Sequence, residues 1–488
     1  MIELNTAEIA AITGGRPTAT APLDLGVRGV ATDSRECRAG WLFVAKPGEE
    51  SDGHRFVGQA LTAGAVLALA ERETTAEDGS VHPAVIVPDA VLAMGRLAEH
   101  IVGRLRAGGL RVVGITGSAG KTTTKDLLAA ILETAGETVA PIGSYNGEVG
   151  VPLTVFRATE TTRFLVVEMG ATGIGHINYL SRMVRPEVGV VLCVGSAHAG
   201  EFGGVHNIAQ AKGELVEGLE ESGTAVLNLD DPQVAAMSSR TRARLLGFGE
   251  EADDAGAVAA RGIEVDRNGH PGFTLVLPGG AEHPVRSGLI GRHHVANLLA
   301  AAAAAHALGV DGATIARTLT GLGPASRWRM ERTDRPDGVC VINDAYNANP
   351  ESMRAALRAL AELGLPDAQG RARRTWAVLG EMLELGDESL TEHDLLGRVA
   401  VRLNIKKLLV VGRGAKAVHT SAVLEGSWGD EAMFVETVDE AEELLNGQLE
   451  PGDIVLFKSS NGAGLRFLGD RIALAGTGAP RAGEESVR

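Results

Sequence analysis

Aromatic residues make up only 3% of this 488-residue chain. So few rings leave little with which to stack single-stranded bases. Positive charge is also scarce: 46 Lys and Arg stand against 62 Asp and Glu, a formal net charge of −16. General nucleic-acid binding needs a basic footprint, so nucleic acid is excluded as a partner. Cysteine occurs three times, at Cys37, Cys193 and Cys340, far apart and without metal-ligand spacing. That argues against a disulfide framework or a zinc centre and for reduced, mostly buried thiols in a cytoplasmic protein. The first residues, Met1-Ile-Glu-Leu-Asn-Thr6, show neither a basic n-region nor an apolar h-region, so no secretory signal is expected. Long hydrophobic runs are missing too. The most apolar stretch, residues 295–310, is alanine-rich and interrupted by Asn297 and His306, which suits a packed helix rather than a membrane span.

What is present begins with Gly114-Ile-Thr-Gly-Ser-Ala-Gly-Lys-Thr122. The apolar run Arg111-Val-Val-Gly-Ile-Thr116 precedes it, and Leu127, Leu128, Ile131, Leu132 and Ala135 follow on one helical face. A glycine-rich turn between strand and helix presents backbone N–H groups and a helix dipole to a polyphosphate. Lys121 can reach the β- and γ-phosphates, and Thr122 can offer its hydroxyl to Mg²⁺. Ile115 stands where the first Walker A glycine belongs, so the motif is the shorter Gly-x-x-Gly-Lys-Thr of residues 117–122. The loop alone fits hydrolysis, transfer or sensing of a nucleoside triphosphate alike.

The length predicts more than one core. The reading is α/β with three domains: a small α/β unit over residues 1–108, a central P-loop domain with a parallel sheet over 109–325, and a Rossmann-like domain over 326–472. Residues 473–488 read as a disordered tail. Trp41-Leu-Phe-Val-Ala45 is an expected strand of the first unit, and Val91 to Leu105 has helical spacing and joins the first unit to the second. Segments 163–168, 188–194, 374–379, 407–411 and 453–457 are short apolar runs that read as buried parallel strands. Gly412-Arg-Gly-Ala-Lys-Ala417, with Glu436 about twenty residues later, matches a dinucleotide fingerprint; a Rossmann-like turn without cofactor is the preferred reading.

Several residues carry candidate chemistry. Glu168 ends an apolar strand, where a carboxylate can meet a metal held at a triphosphate, although a solvated glutamate fits the same place. His198 follows the next strand in a glycine-rich loop. Lys212, by itself, is a surface helix lysine. His293 and Asn297 can face a nucleotide or simply cap a helix. Arg329 can donate a bidentate pair to phosphate or make a surface ion pair. The polar run Asn343-Asp-Ala-Tyr-Asn-Ala-Asn-Pro350 follows an apolar strand and suggests a ligand edge.

Taken together, these segments resemble the Mur ligases, ATP-dependent enzymes that add amino acids to the peptide stem of the peptidoglycan precursor. The resemblance spans residues 30–465. Thr32-Asp-Ser-Arg35, Gly40-Trp-Leu-Phe-Val-Ala45 and Asp52-Gly-His-Arg-Phe56 look like the family's uridine-nucleotide domain. Asp344-Ala-Tyr-Asn-Ala-Asn-Pro350 and Leu379-Gly-Glu-Met-Leu-Glu-Leu-Gly386 look like the branch that adds D-alanyl-D-alanine to UDP-MurNAc-tripeptide through an acyl phosphate. The Asp-Asn-Pro-Arg segment of the diaminopimelate-adding branch is absent.

The resemblance implies ATP and Mg²⁺ as cofactors. It places Thr116, Gly117, Ser118, Ala119, Gly120, Lys121 and Thr122 at the phosphates, with His293, Asn297, Arg329 and Asp344 completing the ATP site. Thr122, Glu168, His198 and a carbamylated Lys212 are implied for metal, and Lys121, Glu168, His198, Lys212 and Arg329 for catalysis. Ser34, Arg35 and Asn146 would meet the UDP substrate, and Asn347, Lys458 and Ser459 the dipeptide. A cytoplasmic monomer is expected. Gly147, His294 and Ser460 depart from the family pattern. The rivals are another Mur-type ligase and a P-loop protein whose nucleotide regulates a partner.

Overall fold

The computed structural model describes residues 1–48, 51–195, 204–250, 252, 256–426 and 431–475. Three main sheets follow one another along the chain, a five-stranded, a nine-stranded and a six-stranded one. The first has the order Arg16–Pro17, Ala84–Ile86, Ala65–Ala70, Trp41–Ala45, Gly29–Ala31, parallel except at its Arg16–Pro17 edge. Trp41–Ala45 takes the bounds expected of it.

The helix Ala90–Ala107 is capped by Asp89, whose side chain accepts from Leu92 N–H. Its buried stripe of Met94, Leu97, Ile101 and Leu105 belongs to one apolar core with Leu42 and Leu69 of the first sheet and Leu165 and Val167 of the second. The helix therefore unites the first two units rather than merely linking them. Gly95 has no Cβ to obstruct the Tyr179 hydroxyl, which lets the helix His176–Val184 approach closely.

The second sheet has the order Glu282–Arg286, Pro271–Val276, Val258–Val265, Arg244–Gly249, Thr224–Asn228, Val188–Val191, Arg111–Thr116, Phe164–Glu168, Thr138–Val139. Its central strands are apolar on both faces because helices cover both. Lys121–Glu133 packs against the alanine-rich His294–Ala307, in which Ala300 to Ala305 are wholly buried. The sheet is not parallel throughout. Val258–Val265, Pro271–Val276 and Glu282–Arg286 form an antiparallel meander, a departure from the expected parallel sheet.

Register sets the working edge. Glu168 pairs with Ile115 and Val191 with Thr116, so three central strands end level and release the P-loop and the segment after Val191 at one rim. In the third sheet, Asn343 pairs with Phe457 and Leu379 with Lys458, which brings residues 344–350, 380–386 and 459–461 to a common edge. Only Glu331–Asp334 runs antiparallel there. The last helix, Leu465–Leu474, continues past residue 472, where the tail is expected to begin. No helix among the described residues is long and apolar enough to cross a membrane.

Candidate active site

A cavity of about 1080 Å³ lies where the three sheets' strand ends meet. Thr32 of the first unit reaches it, the P-loop and Glu168 form one wall, and Asp344, Asn347, Lys458 and Asn461 form another. Gly120 initiates the helix Lys121–Glu133 with φ +82, a left-handed conformation that glycine adopts without a steric cost. A Cβ at Gly120 would also clash with the Asn297 carboxamide oxygen, so Asn297 sits hard against the loop.

Thr122 Oγ1 donates to Glu168 Oε2 at 2.9 Å and lies 2.9 Å from Ser144 Oγ. Asn146 Nδ2 donates to the other carboxylate oxygen of Glu168, also at 2.9 Å. Glu168 is only 1% exposed, so the solvated-glutamate alternative does not hold. Arg329 enters the same cluster, donating from Nη2 to Thr122 Oγ1 at 3.1 Å and to Ser144 Oγ at 2.9 Å. Its guanidinium lies 4.5 Å from the Tyr346 ring centroid, and its buried Nε has no hydrogen-bond partner. An orphaned buried donor beside a P-loop suits an anion. Arg329 is thus no surface ion pair.

The hard oxygen donors of Thr122 and Glu168 suit a small divalent cation. Among the described residues no three His, Cys, Asp or Glu side chains cluster as a cage. Thr122 and Glu168 are two hard oxygen donors, which fits a cation that phosphate and water also help to hold.

Lys212 lies on the helix Val205–Glu217 with 6% exposure, which corrects the surface-lysine alternative. It lines the cavity and makes no hydrogen bond or ion pair among the described residues. Burial, and next the Lys121 ammonium, pushes its pKa down to about 7. Cys193, beneath the loop, accepts from Ala119 N–H, and burial raises its thiol. Burial pushes His293 down to about 4 and His294 well below the imidazole range. His294 Nδ1 is 3.1 Å from Asn297 Nδ2, while its buried Nε2 lacks a partner. Neither His293 nor Asn297 caps the helix with its side chain.

From the third sheet, Lys458 Nζ pairs with Asp344 Oδ2 at 2.6 Å and donates to the Asn347 carbonyl at 3.1 Å. Asn349 Nδ2 crosses to the P-loop, donating to the Ser118 carbonyl at 3.2 Å.

Some expected site residues stand elsewhere. Thr116 is fully buried and donates to the Met169 carbonyl at 2.9 Å, tying adjacent strands instead of facing the cavity. Ser459 is likewise fully buried, with its hydroxyl on the Ser460 carbonyl. Ser34 bonds Gln59, and Arg35, 69% exposed, pairs with Asp33; neither lines the cavity. Asn146 lies with Glu168 rather than with those two. His198 lies outside the described residues. The fingerprint turn at Gly412 is engaged by the protein's own groups: Arg413 donates to Glu436 at 2.8 Å, and the Glu381 carboxylate fills the space beside Gly414. Sequence reasoning missed Ser144, Tyr346 and Asn349 as individual site residues. All three stand in polar runs at strand ends, which was the available signal.

Comparison with known proteins follows the same three-part division. Family models described as "Mur ligase family, catalytic domain", "Mur ligase middle domain" and "Mur ligase, glutamate ligase domain" match residues 26–102, 115–305 and 328–461. The UDP-N-acetylmuramoyl-tripeptide–D-alanyl-D-alanine ligase of Mycobacterium tuberculosis is 45% identical, covering 97% of this chain and 98% of that protein. The enzyme of that name from Bacillus subtilis is 33% identical, covering 89% and 91%. Among solved structures, MurF from Acinetobacter baumannii superposes with a TM-score of 0.84 at 31% identity, covering 96% of this chain and 99% of that one. MurF from Thermotoga maritima in complex with ADP gives 0.75 at 28% identity, covering 92% and 97%.

Proposed function

This chain belongs to the Mur ligase family, and on that premise we infer that it joins D-alanyl-D-alanine to UDP-N-acetylmuramoyl-tripeptide by an ATP-driven amide ligation. The observation that carries the reading is the convergence of Thr122, Glu168, Arg329 and Lys458 on one cavity from two different sheets. A nucleotide switch needs only the P-loop; a ligase must also seat an acceptor and an amine within reach of it.

The terminal carboxylate of the tripeptide attacks the γ-phosphorus, and the bond to the ADP oxygen breaks, leaving an acyl phosphate. The dipeptide amine then attacks the carbonyl carbon, loses a proton and expels phosphate. Lys121 and Arg329 supply positive charge where phosphate charge spreads, the general need of phosphoryl transfer. Thr122 and Glu168, with His198 and a carbamylated Lys212, would hold Mg²⁺, which neutralises phosphate charge when bound. Asn297 and His293 take the adenosine side, and Asp344 reaches the nucleotide from the third sheet. Lys458 and Asn347 orient the dipeptide. Asn349 bridging to Ser118 seals the third unit against the P-loop, which helps exclude water from a hydrolysable intermediate.

In this reading residues 1–108, with Ser34 and Arg35, grip the uridine end, residues 109–325 bind ATP, and residues 326–472 bind the dipeptide. A cytoplasmic monomer is the form this reading takes, and no group it invokes is drawn from a second chain. The test is incubation with UDP-MurNAc-tripeptide, D-Ala-D-Ala and Mg-ATP, followed by mass spectrometry. The expected product is the UDP-MurNAc-pentapeptide with one phosphate released per ligation. Steady ADP release at the same rate without the dipeptide would refute coupling and favour a regulatory nucleotide site.

A further inference from the structure

The connector between the second and third sheets is fastened alternately to both sides. Ser326 Oγ donates to Asp126 Oδ2 of the P-loop helix at 2.6 Å. The next two residues turn to the last helix: Arg327 Nη2 donates to Asp470 at 2.9 Å, and Trp328 Nε1 lies 3.0 and 3.1 Å from the two Asp470 oxygens. Arg329 returns to Thr122 and Ser144. Met330 N–H then donates to Asp344 Oδ1 at 3.0 Å.

Arg329 is flanked by two residues in left-handed backbone, Trp328 at φ +58 and Met330 at φ +51. Side-chain-bearing residues hold that conformation only where their surroundings over-determine it. Here the surroundings are specific. The Trp328 ring stacks on Tyr346, meets Phe467 edge-on, and is anchored through its N–H to Asp470. Tyr346 in turn carries the Arg329 guanidinium on its face. Asp470 is itself fixed: Asn343 Nδ2 donates to it at 3.1 Å, and Gly469 leaves the space that this amide needs.

We propose that Asp470 is a positioning residue that acts through Trp328 to aim Arg329 at the γ-phosphate. It makes the arginine's place in the ATP site depend on the third sheet and its last helix. The inference rests on the ligase reading for what Arg329 does, but not for where Asp470 holds it.

The experiment uses the full chain with Asp470→Ala, Asp470→Asn, Trp328→Phe and the Asp470→Ala/Trp328→Phe double variant. Each is measured for melting temperature, for ADP and AMP-PNP affinity, and for ligation. Asp470→Ala should weaken AMP-PNP by about tenfold, the loss of one charge-assisted contact, and leave ADP nearly unchanged. Ligation kcat should fall between about tenfold and a hundredfold, as for a misplaced group. Asp470→Asn, which keeps an acceptor for the indole, should recover most of both. Trp328→Phe keeps an aromatic ring but removes the N–H together with the five-membered ring, so it should reproduce the AMP-PNP loss with some added fall in melting temperature, and the double variant should bind AMP-PNP no worse than the weaker of the two single variants. A packing role alone would lower the melting temperature and affect both nucleotides equally; that result, or an unchanged AMP-PNP to ADP ratio, overturns the proposal. Should Asp470→Ala not fold, Trp328→Phe decides. A wild-type chain that makes no pentapeptide would sink the ligase reading, while the nucleotide ratio still reports on Asp470.

Discussion

Replacing Lys212 by alanine tests the most unusual group in the cavity. With a pKa lowered to about 7 by burial and then by Lys121, Lys212 has a substantial neutral fraction at neutral pH. A lysine at the ordinary value would be neutral in about one molecule per thousand. The neutral amine is the form that adds CO₂: its lone pair makes the C–N bond, a proton leaves to solvent, and an anionic carbamate results. The Lys121 ammonium that disfavours a cation at this position favours such an anion. If the carbamate supports the metal, Lys212→Ala should lower ligation by at least about tenfold to a hundredfold, the loss seen for even an outer partner of a metal. Short acids such as acetate or formate should restore part of it by filling the vacated space. In the wild type, ¹³C-bicarbonate should give a carbamate signal that Lys212→Ala lacks.

Stability supplies a second measurement with a definite sign. Between pH 7 and 10.5 the unfolded chain holds a proton on Lys212 that the folded chain has lost, so folding stability rises with pH through that window. The penalty of a buried ammonium is fully present below pH 7 and gone above 10.5. Lys212→Met, measured in CO₂-free buffer, should remove a slope of up to about 1.4 kcal/mol per pH unit. A surface lysine would change stability by less than about 0.5 kcal/mol and activity hardly at all. Near wild-type ligation by Lys212→Ala without added acid would refute the carbamate role.

Three further outcomes are expected. Lys121→Ala should abolish ligation while shifting the melting temperature little, since the side chain's one hydrogen bond among the described residues is to the Gly117 carbonyl at 2.7 Å; retained amide formation would disprove its phosphate role. Gly120→Ala should lower stability by about 1–3 kcal/mol through its φ of +82 and its clash with Asn297, read by urea unfolding, and should weaken ATP binding; an unchanged midpoint would contradict the assigned backbone. His294→Asn should flatten the acid side of the stability profile. The buried imidazole stays neutral in the folded chain while the unfolded chain protonates below pH 6.5, so stability falls as pH drops by up to about 1.4 kcal/mol per unit, and identical profiles for variant and wild type would refute this.

Much of this arrangement can be read from local pattern. Trp41–Ala45, Lys407–Val411 and the helix Ala90–Ala107 are legible because apolar period and flanking turn residues agree. The antiparallel meander was missed although its turns are written in the chain. Asn268-Gly269 separates Val258–Val265 from Pro271–Val276, and Gly279-Gly280 separates Pro271–Val276 from Glu282–Arg286. Its first strand is exposed beyond Ala260 and is interrupted between Arg261 and Glu264, so it lacks the steady alternation that reveals a half-buried strand. Thr116 and Ser459 turn their side chains away from the cavity for a shared reason: each adjoins a residue that lines it, and adjacent residues in extended chain point to opposite faces.

The site's specificity resides in pairings that no local pattern can show. Arg329 meets Thr122 across 207 residues of chain, Lys458 meets Asp344 across 114, and Asn349 meets Ser118 across 231. The first and third pairs join the third unit to the P-loop domain and the second joins neighbouring strand ends of one sheet, so each contact is a product of register and packing. Isolated from that frame, Arg329 is one arginine in a basic run and Lys212 one lysine on an amphipathic helix. Burial changes what each can do. It leaves Arg329 Nε without a partner beside the P-loop, and it leaves Lys212 an amine near neutrality rather than a fixed cation. The chemistry follows from the removal of water around groups whose partners come from distant parts of the chain. A substitution in the last helix, far from the P-loop in sequence, is therefore expected to reach phosphate recognition through the Trp328–Tyr346–Arg329 contacts.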